Sequence, residues 1–256
     1  MSLQKPIQTS QAPERVELAA TYRLLAEFGM DDSIFTHISA KAPASEGEHA
    51  FLINPYGMRF DEVTAGNLVT LDLDGNILFD PQKLGINKAG FTIHSAVHAA
   101  RPDIACVMHT HTVAGVAVAS LKDGLLPLNQ WSAPFFNRLA YHDYEGIALN
   151  HDERARIVAD LGDKRAMILR NHGLLTCGRT IGEAFRTMMD LERACRAQVA
   201  IMGTGGQMNI LSDRLAEHTA QQEEGWAENH QSAGKPDTEW QAYLRHCKAR
   251  HPDFDQ

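Results

Sequence analysis

The spacing of apolar positions changes along the chain, and each change marks an element. Pro13 opens a predicted helix in which Leu18, Tyr22, Leu25 and Ala26 form one stripe, and Gly29 closes it. Strand-like stretches follow over Ile34–Ala40 and Ala50–Asn54. Val69, Leu71 and Leu73 then alternate with polar neighbours up to Asp74-Gly75, a two-residue hairpin signal that returns through Ile77–Phe79 and predicts antiparallel pairing. Ala89–Ala100 reads as a helix with Ile93, Val97 and Ala100 inward, ended by Arg101-Pro102. A strand over Ile104–Met108 and a small-residue helix over Val113–Leu121 complete the first half.

In the second half the helix starts are marked by caps. Asn150 with Glu153, and Thr180 with Glu183, have capping-box spacing and predict helices at about 151–161 and 181–202. Between them lie strands at Ala166–Arg170 and Leu174–Cys177. The longest helix presents Phe185, Met188, Met189, Leu191, Cys195 and Val199 as a core face, and Gly203 to Gly206 break the chain after it. Asp213–Glu224 and Asp237–Ala249 read as further helices. The stripe Trp240, Tyr243, Leu244, Cys247 can dock either on its own domain or on a neighbouring subunit. The expected organisation is a flexible tail over 1–12, one domain over 13–212 and a helical C-terminal extension over 213–256.

With 256 residues, 44% of them apolar, the chain can bury a full core. A net charge of −8 with no Lys/Arg block argues against nucleic-acid or anionic-membrane partners. Met1–Ala12 lacks the apolar core of a signal segment, and no stretch approaches the roughly 18 apolar residues of a membrane span. Cys106, Cys177, Cys195 and Cys247 are far apart and form no C-x-x-C, as expected of reduced thiols in a cytoplasmic protein.

The candidate chemistry is histidine chemistry. His109-Thr110-His111 stands at the end of the Ile104–Met108 strand, and His172-Gly173 follows the next apolar run. Strand side chains alternate, so an H-x-H step points both imidazoles to one side, where a third can share a cation with them. Three neutral nitrogens and an open position suit a catalytic Zn²⁺ or a related divalent ion. With 13 histidines in the chain, the pattern alone leaves a shared metal site and scattered surface histidines as equal alternatives. His94 and His98, four apart on one helix, fit structural or supporting roles better than a second metal site.

The ordered series Thr36-His37-Ile38-Ser39-Ala40, Phe51 to Gly57, Asn87 to His94, Val107 to His111, Tyr141-His142-Asp143-Tyr144 and Arg170-Asn171-His172-Gly173 resembles the class II aldolase/adducin family from about Pro13 to Met202. The resemblance implies an α/β fold, a three-layer α/β/α sandwich around a mostly antiparallel sheet. It also implies a homotetramer with sites near subunit interfaces, and a divalent metal, zinc before manganese, iron or cobalt, on His109, His111 and His172.

The chain departs from the sugar-phosphate aldolases of that family in an informative way. Their metal-binding, proton-shuttling Glu lies four residues before the position of His94, which here is Gly90, and glycine cannot accept a proton. Their phosphate loops correspond to Thr36-His37, Tyr56-Gly57 and Lys88-Ala89, which puts a phosphorylated substrate in doubt. By position, Thr36, His37, Asn54, Gly57 and Lys88 are the expected substrate-binding residues, with Lys88 suited to a carboxylate. His142, with Tyr141 or Tyr144, falls where the aldolases keep a catalytic tyrosine.

Aldol cleavage needs a base, whereas decarboxylation generates its carbanion by losing CO₂ and needs an electron sink and a returning proton. The reading is a metal-dependent lyase on a small oxo or hydroxy acid, acting through a metal-stabilised enolate by decarboxylation or, next, aldol cleavage. One alternative is a non-catalytic adducin-like assembly module, which in animals carries a long Lys-rich extension where this sequence ends at Gln256. A further alternative is a non-haem iron oxygenase.

Overall fold

The computed structural model describes residues 11–47, 49–146, 152–232 and 237–256. The tail before residue 11, and Asn150 with its expected cap, lie outside them. Helices α1 (Pro13–Glu27), α2 (Lys88–Ala100), α3 (Val113–Ala119), α4 (Glu153–Leu161), α5 (Ile181–Gly203), α6 (Asp213–Ser232) and α7 (Thr238–Arg250) surround eight strands. The strands are β1 (His37–Lys41), β2 (Phe51–Ile53), β3 (Val69–Leu71), β4 (Ile77–Phe79), β5 (Cys106–Thr110), β6 (Leu139–His142), β7 (Ala166–Leu169) and β8 (Gly173–Gly178). They form one sheet in the order β4-β3-β2-β1-β5-β8-β7-β6. Each of these pairings is antiparallel except β6 with β7.

Alternation along the central strands divides the interior into two cores. Ile38, Met108, Ile168 and Leu174 face α1, α5 and α7, and pack with Leu18, Tyr22, Phe185 and Trp240. Val107, Met167, Leu169 and Leu175 face α2 and α4, and pack with Ile93, Val97, Ile157 and Leu161. The result is the helix–sheet–helix sandwich expected from the sequence. His109 has the parity of Val107, so its ring emerges on the α2 side.

Four features differ from the sequence expectations or decide between them. The β3–β4 connection closes on a three-residue loop, Leu73-Asp74-Gly75, because Asp72 N–H donates to the Asn76 carbonyl at 3.1 Å and Gly75 takes φ +84°. β6 was not foreseen, since Leu139-Ala140-Tyr141-His142 is short and draws its order from parallel pairing with β7, with α4 between them in the chain. α6 runs on to Ser232, eight residues beyond the predicted end. The α7 stripe docks on its own chain: Trp240 packs on Phe185 with ring centroids 5.2 Å apart, and its Nε1 donates to Glu17 at 3.1 Å. Gly182 allows this approach, because a Cβ there would stand 2.5 Å from Trp240 Cγ.

Beside the sheet lies a buried ion pair. Arg15 donates to both Glu46 oxygens at 2.7 and 2.6 Å, to Thr70 Oγ1 at 2.6 Å, and to the Ala65 and Leu68 carbonyls at 3.1 Å each. Every guanidinium nitrogen thereby has an acceptor, which the burial of its charge requires. Replacing Glu46 by Ala leaves that charge buried without its counter-ion and should cost about 3–5 kcal/mol, seen as a lower urea midpoint. An unchanged midpoint would contradict this role for the pair.

Candidate metal centre

His109, 2% exposed near the end of β5, places Nδ1 2.9 Å from the Leu174 carbonyl. A carbonyl only accepts, so Nδ1 carries the proton and Nε2 presents a lone pair. His111, just past the strand, is fixed in the same sense by the Asp32 carboxylate, 2.9 Å from its Nδ1. Thr36 Oγ1 in turn accepts from Asp32 N–H at 3.2 Å and orders the loop that brings this carboxylate in. His172 lies in the three-residue link between β7 and β8, where Asn171 takes the left-handed φ of 56°. Gly173 lets β8 approach, since a Cβ there would stand 2.4 Å from the Thr110 carbonyl oxygen.

These constraints bring three Nε2 atoms together. His109 Nε2 lies 2.8 Å from that of His111 and 3.2 Å from that of His172. With both Nδ1 protons committed elsewhere, the first two nitrogens face each other lone pair to lone pair, an arrangement that repels unless an electrophile lies between them. Ligand nitrogens on a tetrahedral zinc stand about 3.4 Å apart for bonds of about 2.0–2.1 Å, so the donor set fits a divalent cation. Burial pushes His109 well below the usual histidine range, and burial followed by the neighbouring His111 and His142 brings His172 down to about 4. Both rings are therefore neutral at pH 7, as ligands must be.

The other expected site residues divide into two groups. His37, buried on β1, lies beside His109 with ring centroids 5.3 Å apart, and burial holds it at about 3. His142, buried on β6, places Nδ1 2.7 Å from Asp160 and Nε2 3.5 Å from Glu153. It shares a narrow cleft with His172 and Tyr144, whose ring is 6.3 Å from that of His172. Tyr141 is on the opposite face, because it is adjacent to His142 in a strand; its hydroxyl accepts from Leu125 N–H at 3.0 Å and Arg170 covers its ring.

Asn54 is likewise drawn into the fold. Its amide lies 2.9 Å from the Tyr22 hydroxyl, which also accepts the backbone N–H groups of Ile38 and Asn54 and ties β1 to the end of β2. Gly57 occupies a turn at φ +90° and Lys88 is exposed at the start of α2. Sequence reasoning missed Asp32, Asp160 and Glu153, because no local motif marks a carboxylate that meets its histidine only in the fold.

His109→Ala should remove the bound metal while preserving most of the helical circular dichroism, and Gly173→Ala should weaken metal retention by displacing the strand end. Metal content measured after gel filtration tests both. A His109→Ala protein with full metal content would refute the ligand assignment.

The depressed histidines also set the response to acid. His98 is held near 3 by burial and then by Lys41, so the unfolded chain takes up protons below its ordinary value of 6.5 before the fold does. Stability contributed by the neutral ring is thus lost progressively as pH falls from about 6.5 toward 3. In metal-free protein, His98→Leu should reduce the fall in melting temperature between pH 7 and 4, and an unchanged slope would argue against a neutral buried ring.

Comparison with known proteins places the chain in a family. The family model for the Class II Aldolase and Adducin N-terminal domain matches residues 16–199. A "Putative aldolase class 2 protein" of Caulobacter vibrioides is 53% identical over 225 residues, covering 88% of this chain and 86% of that protein. Alpha-adducin of Rattus norvegicus is 45% identical over 200 residues, 77% of this chain but 27% of the adducin. Among solved structures, the L-fuculose 1-phosphate aldolase of Glaciozyma antarctica PI12 superposes with a TM-score of 0.80 at 26% identity, over 99% of this chain and 97% of that one. The chain belongs to the class II aldolase and adducin family.

Proposed function

We propose that this protein is a metal-dependent carbon–carbon lyase acting on a small oxo or hydroxy acid, by decarboxylation rather than aldol cleavage. The observation that carries this reading is the convergence of the Nε2 atoms of His109, His111 and His172 in a chain whose position 90 is a glycine, with no side chain to act as base. Nitrogen donors favour zinc and also accept manganese, iron or cobalt. A divalent cation held there supplies a Lewis acid for the negative charge left when CO₂ departs.

The protein's own groups then have two tasks. The centre must be reached from one side by the substrate, and the cleft of His142, Tyr144 and His172 opens beside it. A proton must be returned to the carbon that lost its carboxyl group, and we assign this to His142, with Tyr144 in support. The protein works as a cytoplasmic homotetramer in this reading. Its four cysteines are buried free thiols, and no helix among the described residues is long and apolar enough to cross a membrane.

Similarity to alpha-adducin supports a second reading, a binding module that keeps the histidines without turnover. Protein purified without chelator should contain about one divalent ion per chain and release CO₂ from members of an oxo-acid and hydroxy-aromatic-acid panel, and His111→Ala should abolish both. Metal without turnover across the panel favours the binding module, and efficient aldol cleavage would overturn the decarboxylase reading.

Turnover of L-fuculose 1-phosphate should be negligible, since loss of a general base alone costs about 10²- to 10⁴-fold. Gly90→Glu alone should not restore it. Light scattering at micromolar concentration should give a tetramer mass; a monomer would contradict the assembly.

A further inference from the structure

A carboxylate stands on either side of the His142 ring. Nδ1 lies 2.7 Å from Asp160 Oδ2, and Nε2 lies 3.5 Å from Glu153 Oε1. Asp160 accepts from Nδ1, so a neutral ring would turn the Nε2 lone pair toward Glu153. His142 and Glu153 are both buried, and Nε2 has no hydrogen-bond partner. At 3.5 Å the contact is longer than a hydrogen bond but within ion-pair range. A lone pair facing a carboxylate oxygen repels, whereas a proton between them makes an ion pair, and a buried carboxylate requires a partner of that kind. Imidazole is the stronger base of the two by about two pH units, so the proton belongs on Nε2.

The other charged groups around the ring are already engaged. Glu145 holds Arg156 at 2.6 Å, and Asp143 stands 3.4 Å from Arg170. His172, held down to about 4, is a neutral ring at pH 7. Ile93 of α2, Ile157 of α4 and Leu169 of β7 bring only hydrocarbon to the cleft. His142 is therefore left with Asp160 and Glu153, two acids on one ring. The two members of the inner pair differ in access: Nε2 is closed to solvent, while the Glu153 carboxylate lines the cleft that also reaches His172 and Tyr144.

We propose that Glu153 is a further catalytic residue, which takes the Nε2 proton of His142 and gives it to the carbon that has lost CO₂, with Asp160 as the positioning residue that fixes the ring. The inference rests on the lyase reading for the site, and deepens it. In the transfer the Nε2–H bond breaks as Glu153 gains the proton, and the carboxyl O–H bond breaks as the new C–H bond forms. The ring ends neutral with its proton on Nδ1, and Glu153 ends as the carboxylate. One proton has then left the pair, the negative charge on carbon is gone, and a proton from solvent restores the pair for the next turnover.

The test uses zinc-loaded, ¹⁵N-labelled protein at pH 7, with the His142 signals assigned by their loss in His142→Gln. Both ring nitrogens should carry protons in the wild type, and Nδ1 alone in Glu153→Gln, whose amide can donate to the freed lone pair. On the oxo acid turned over fastest, Glu153→Gln should lower kcat about 10²-fold or more, with KM and zinc content little changed. Acidic buffer should not restore the rate, because the donor itself is missing, whereas Glu153→Asp, which keeps a carboxyl group, should retain more of it. A single ring proton in the wild type, a ring unchanged by Glu153→Gln, or a rate that this variant leaves intact overturns the inference and leaves the lyase reading standing. So does a second zinc per chain that Glu153→Gln removes, since a metal ion would then lie between Nε2 and the carboxylate. A zinc-loaded wild type that releases no CO₂ from any acid overturns both.

Discussion

Two hydrogen bonds determine the character of the site: His109 Nδ1 to the Leu174 carbonyl and His111 Nδ1 to Asp32. By taking the proton on one side of each ring they turn a lone pair to the other, and the fold then holds the two Nε2 atoms 2.8 Å apart. Such an arrangement works against the stability of the metal-free protein, and a cation relieves it. The architecture around it is what makes the cost tolerable. β5 is central, paired with β1 and β8, and its register fixes His109 against His37 on one side and Leu175 on the other. The β7–β8 hairpin returns His172 to the same point through a left-handed asparagine and a glycine that admits close backbone contact.

The region behind the metal centre carries a second polar system, His37, His94, Ser39 and His98, buried between β1 and α2. Burying four such groups is favourable only when they satisfy one another, and here each link lies between 2.7 and 2.9 Å. One of its rings, His37, fills the space beside Gly90 that a side chain on α2 would take. The absence of a side chain at Gly90 therefore has to be considered together with His37.

Much of this was legible before the fold was known, and the reasons are local. The apolar run of β5 and the His-x-His step at its end depend only on local strand geometry, and His172-Gly173 stands in the same way after the next apolar run. What could not be read depends on distant partners. Tyr141 and His142 are adjacent, and only the unforeseen strand β6 shows that they point to opposite faces. Asn54 looked like a pocket residue because nothing in its neighbourhood reveals that Tyr22, 32 residues earlier, holds it in the core. Asp32 has no motif of its own; a loop held by Thr36 delivers it. The void at Gly90 was visible as a missing acid, whereas its filling by a residue 53 positions earlier became visible only in the fold.

The central claim, that these imidazoles form one cation site, is tested most directly by X-ray absorption at the zinc edge of the loaded protein. Three imidazole nitrogens at about 2.0–2.1 Å with an oxygen completing the shell is the predicted result. A shell containing thiolate sulfur, or one with fewer than three imidazoles, would contradict it.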